Sequence, residues 1–95
     1  IANNGLMDVT LLISKKGNLD RNPIINLRGL PVSEEDLDEI LYDLEDAIID
    51  TAKNYSLNNK KDEKNLIDAL KSNLKKVVYS SVKKRPYTNI VLIRL

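Results

Sequence analysis

The chain contains neither cysteine nor histidine. That excludes disulfides and thiolate metal sites, and with them the Cys-His dyads, Ser-His-Asp triads and common zinc ligand sets. Carboxylates, lysines, tyrosines and hydroxyls are all that remain for catalysis. The chain therefore reads as doing no chemistry of its own, with no catalytic residue, cofactor or metal site assigned. Tryptophan and phenylalanine are missing too, so aliphatic Leu, Ile and Val must fill the core. The longest unbroken apolar run is Ile90–Ile93, far short of the roughly 20 residues that cross a bilayer. No signal-peptide pattern opens the chain, which makes an intracellular location the expectation. The first residue is Ile1, not Met, as expected of a piece of something longer.

What is present suffices for one domain, 1–95. Ninety-five residues can bury roughly two thirds of their unfolded surface without a staple of metal or disulfide. Leu6–Ile13 alternates as a strand does, with Met7, Val9, Leu11 and Ile13 on one face and Leu6, Asp8, Thr10 and Leu12 on the other. Ser14 to Asn18 is turn chemistry. A shorter strand is predicted over 23–28, with Pro23 at its first position, where a missing ladder donor does least harm. Ser33 then has the outline of an N-cap, with Asp36 placed to complete a capping box. Apolar residues from Leu37 to Tyr55 recur at helical spacing, predicting a helix over about 34–55. A polar break at 56–61 turns the chain. A second helix is predicted over about 62–84, stopped by Pro86, and a closing strand over about 88–95. Tyr42, Tyr55 and Tyr79 read as residues at the edge of the core.

The order β-β-α-α-β is an α+β fold: a three-stranded sheet with a two-helix antiparallel hairpin packed on one face. Met7, Val9, Leu11 and Ile13 are expected beneath the helices, together with Val91, Ile93 and Leu95. The opposite face would carry Leu12, Ile24, Ile90 and Leu92 among polar residues, with Arg28 and Arg94 at its rim. That face is too apolar to be simply wet and reads as an interface, either of a homodimer or with other domains. On this reading an acidic residue at Ile90 or Leu92 would weaken self-association and leave the helices folded.

Charge is divided between the helices. Residues 33 to 52 hold nine acidic residues and no Lys or Arg, whereas residues 60 to 85 hold nine basic ones. Within the acidic segment Asp36, Glu39, Asp43, Asp46 and Asp50 recur at helical spacing. A long exposed row lacks the octahedral geometry magnesium demands, so it reads as a solvated face. Lys71, Lys75, Lys76, Lys83, Lys84 and Arg85 form a candidate surface for RNA phosphates. Tyr79 and Tyr87 are the nearby rings for base stacking, and no RNP or GXXG motif accompanies them. A small RNA-binding module is thus the alternative to an assembly module.

Four features in order carry a resemblance. They are Gly5-Leu6-Met7-Asp8-Val9, a glycine leading into the first strand; Asn22-Pro23-Ile24-Ile25-Asn26-Leu27-Arg28-Gly29-Leu30-Pro31; two amphipathic helices; and Lys84-Arg85-Pro86 before a closing strand. Together they resemble the C-terminal domain of ribonuclease J, in the metallo-β-lactamase/β-CASP family, over nearly the whole chain. Many members have Ser before the Arg-Gly pair and an aromatic residue after it, where this chain has Leu27 and Leu30. The resemblance implies a parent hydrolase that degrades and processes RNA in the cytoplasm, with zinc held in catalytic domains absent from this chain. It also implies that the domain itself is non-catalytic and supports oligomerisation.

Overall fold

A computed structural model describes residues 5–19, 22–55 and 60–95, residue 60 in its backbone only. Three strands and two helices follow in the order β1 (Leu6–Ile13), β2 (Ile24–Arg28), α1 (Glu34–Ala52), α2 (Lys60–Val82) and β3 (Tyr87–Arg94). The α+β fold and its β-β-α-α-β order are those expected. The sheet runs β2-β1-β3, with β1 antiparallel to β2 and parallel to β3.

The central place of β1 follows from its sequence. Met7, Val9, Leu11 and Ile13 are at most 1% exposed, and each fully buried side chain of this kind is worth about 1.5–3 kcal/mol. The turn after β1 closes with Ser14 N donating to Asn18 O at 2.7 Å and Gly17 N to Ser14 O at 2.9 Å. β2 then brings the chain back to the Gly5 end of the sheet. From there α1 climbs and α2 descends, so β3 starts opposite Leu6 and must run parallel to β1. A parallel partner needs such a long crossover, and the helical hairpin supplies it.

Helix α1 begins where Ser33, in an extended conformation, accepts from Asp36 N through its hydroxyl. The Asp36 carboxylate does not accept the reciprocal bond from Ser33 N, because aspartate is one methylene shorter than the usual partner at this position. The helix ends at Ala52 rather than Tyr55, giving way to tighter bonds from Asn54 N to Thr51 O and Tyr55 N to Ala52 O. Helix α2 ends at Val82, two residues before the predicted end, because Lys83 adopts a left-handed φ of 58°. Of the polar break expected at 56–61, 56–59 lie outside the described residues.

Ile40, Leu44, Ile48 and Ala52 of α1 join Leu66, Leu70, Leu74 and Val78 of α2 over the buried side of the sheet. A polar contact also links the helices, with Asn73 Nδ2 donating to Thr51 Oγ1 at 3.1 Å. On β3 the face is inverted relative to expectation. Thr88 and Ile90 are buried and Leu92 packs against the core, while Val91, Ile93 and Leu95 are exposed. Register accounts for this, since Ile90 lies beside Val9 and Leu92 beside Leu11, both inward-facing.

Arg94 shares that inner side. Its Nη2 donates to Glu63 Oε2 of α2 at 2.6 Å, pinning the end of β3 to the start of the second helix. With both side chains partly exposed, the pair should contribute about 0.5–1 kcal/mol. A double-mutant cycle with Arg94→Met and Glu63→Gln in urea unfolding should return coupling of that size. Additive effects would mean that the pair is idle.

Candidate assembly surface and nucleic-acid contact

The uncovered face of the sheet is built in rows fixed by strand register. At the Gly5 end Leu6 lies between Arg28 and Tyr87, and next along Asp8 lies between Asn26 and Asn89. Thr10 then lies between Ile24 and Val91, and Leu12 beside Ile93. The face is therefore graded. Its first rows are polar, with Arg28 Nη2 donating diagonally to Asp8 Oδ2 at 3.1 Å. Its last rows are apolar: Ile24, Val91, Ile93 and the following Leu95 are all exposed, at 43% or more.

Of the six residues expected to form an interface, Leu12, Ile24 and Arg28 lie on this face. Ile90, Leu92 and Arg94 do not. Ile90 and Leu92 are in or against the core, and Arg94 is paired with α2. The open positions of β3 are instead Tyr87, Asn89, Val91 and Ile93; periodicity alone placed Val91 and Ile93 on the covered side. Register alone settles the side, since a slip of one residue along β1 would turn Val91 and Ile93 inward.

The six candidate cations separate into different environments. Lys76 borders a shallow groove with Asp43, Val77, Ser80 and Ser81, on the side of α2 that faces α1. Lys71 and Lys75 lie earlier along the helix. Lys83 and Arg85 converge on Tyr79: the guanidinium carbon is 4.5 Å from the ring centroid and the Lys83 ammonium 5.4 Å. Cations over the face of an aromatic ring are held by its quadrupole. Lys84 lies between them in sequence and is half-buried.

Two of the tyrosines expected at the core's edge are open instead, Tyr42 at 73% and Tyr79 at 40% exposure; Tyr55 packs against the core. Tyr42 stands among Asp38, Glu39 and Asp43. Asp36, Glu39 and Asp43 line a cleft of about 230 Å³ with Ser81 and Val82. Among the described residues no group of three or more His, Cys, Asp or Glu side chains is placed to hold a metal ion. No helix there is long and apolar enough to cross a membrane.

These features define a small α+β domain with two distinctive surfaces, an apolar sheet end and a basic corner. Over residues 1–95 the chain matches the family model of the ribonuclease J C-terminal domain, and it belongs to that family. No curated protein matches it.

Proposed function

We propose that this chain is a non-catalytic assembly domain of a ribonuclease J-like RNA-degrading and RNA-processing enzyme, joining copies through the open sheet face. The observation that supports this most is the exposed apolar end formed by Ile24, Val91, Ile93 and Leu95 beside Leu12. An apolar sheet surface in water is stabilised by a partner that covers it, and a second copy offers the same surface about a two-fold axis. Family membership supports the setting: a larger hydrolase acting on RNA in the cytoplasm, with catalytic domains, and any zinc they require, outside this chain.

Sedimentation equilibrium over a range of concentrations tests the assembly role. The chain should form a reversible dimer. Val91→Asp with Ile93→Asp should weaken its dissociation constant by at least about tenfold, the equivalent of 1.4 kcal/mol, with helical circular dichroism unchanged. A strict monomer, or a dimer indifferent to both substitutions, would overturn the proposal. The same preparation, given RNA and a divalent cation, should leave the RNA intact.

A further inference from the structure

We infer that the corner where α2 gives way to β3 binds the phosphodiester backbone of single-stranded RNA, with Arg85 and Lys83 as the phosphate contacts. Four observations carry this. First, among the described residues none of Lys83, Lys84 and Arg85 has a carboxylate within 4 Å, whereas Arg28 and Arg94, the other two described arginines, are both paired. Second, the guanidinium carbon of Arg85 lies over the Tyr79 ring, 4.5 Å from its centroid. A guanidinium held against an aromatic face still has N–H groups for bidentate contact with an anionic oxygen.

Third, the backbone around these side chains is fixed on both sides. Lys83, at φ 58°, donates its N–H to Tyr79 O at 2.9 Å. Left-handed backbone at a non-glycine residue is uncommon and persists where the surroundings over-determine it. Beyond the corner Pro86 is buried, and its carbonyl accepts from Thr88 Oγ1 at 3.1 Å. Fourth, Tyr87 is 67% exposed at the same end of the sheet, where its ring can take a base from a strand leaving the corner.

The surface is distinct from the apolar patch, which occupies the other end of the sheet, so either proposal can fail alone. RNA is favoured as the polyanion because an unpaired arginine fork and an exposed ring suit a nucleotide strand, and the chain belongs to a ribonuclease domain family. The acidic outer side of α1 in a second copy is the competing occupant.

Fluorescence anisotropy with a labelled oligouridine, repeated across salt concentrations, decides between them. The variant Lys83→Asn with Arg85→Gln removes two cations and keeps a residue that accepts the left-handed conformation. Its log-log salt slope should be shallower by about 1.4, from about 0.7 per phosphate on a single strand, and its affinity about tenfold or more weaker. Arg85→Lys should keep the slope and lose several-fold in affinity, since charge remains while the fork is lost. A slope unchanged in the double variant would overturn the inference. So would an equal loss from Lys71→Gln with Lys76→Gln, or an effect on sedimentation mass without one on RNA.

Discussion

Ile90→Asp should leave the chain largely unfolded at room temperature, whereas Val91→Asp, one residue further on, should melt within a few degrees of the unsubstituted chain. Ile90 is 8% exposed and belongs to a cluster made entirely of apolar side chains. Truncating a buried isoleucine costs about 2–5 kcal/mol in lost packing and cavity. A carboxylate placed there with no cation in the cluster adds several kcal/mol of desolvation, or must take up a proton. The sum is comparable to the whole stability of a typical domain, about 5–15 kcal/mol. Val91 is 44% exposed, and substitutions at such positions usually stay within about 0.5 kcal/mol. Thermal unfolding followed by circular dichroism separates the two. Equal melting temperatures would mean that the face of β3 is assigned wrongly. Loss of self-association in Ile90→Asp would therefore carry no information about an interface, contrary to the expectation drawn from periodicity.

Gly5→Ala should destabilise the domain by about 3 kcal/mol or more, since two costs coincide there. Gly5 has φ +80°, where a side chain meets its own backbone, at a cost of about 1–2 kcal/mol. A methyl group at this position would also stand 2.8 Å from the carbonyl oxygen of Arg28 and 2.9 Å from Cδ2 of Leu30. The first of these neighbours is backbone at the end of β2 and yields only if the strand moves. Gly5 also accepts the amide of Tyr87 at 3.1 Å, so a shift here disturbs the start of β3 as well. Gly29, at φ 75° and exposed, bears mainly the conformational cost, and Gly29→Ala should lose about 1 kcal/mol. Urea unfolding of both variants checks the contrast. Equal losses would show that crowding at Gly5 is relieved.

The contrast between β1 and β3 explains how much of the fold could be read from residues alone. In Leu6–Ile13 the outward positions include Asp8 and Thr10, so only one face can be buried and the strand is legible to its last residue. In Tyr87–Leu95 both alternations are apolar: Ile90 and Leu92 on one, Val91, Ile93 and Leu95 on the other. Counting favours the second. The protein chooses the first because Thr88 can be buried with its hydroxyl bonded to Pro86 O, and because Arg94 reaches Glu63 across 31 positions of sequence. Neither compensation is visible in a local window. The helices were legible because their apolar stripes are long, and their ends less so. Only the backbone of Lys83 shows that α2 stops before the basic run instead of carrying it. The same detail gathers Lys83 and Arg85 onto Tyr79, where a charge count offers six cations between residues 71 and 85 and no way to rank them.

The strand order has a consequence for the making of the chain on the ribosome. Of the five elements β1 is synthesised first, yet the ladder along one whole side of it is filled by residues 87–94, in the last of the five to emerge. Until then its backbone donors and acceptors on that side have no native partner, and Val9 and Leu11 lack Ile90 and Leu92 beside them. The helical hairpin can be complete before the surface it must cover exists in full. Local elements thus precede the one contact that closes the sheet, an order that slows folding relative to a domain built from local contacts and leaves a hydrophobic strand edge open until β3 emerges.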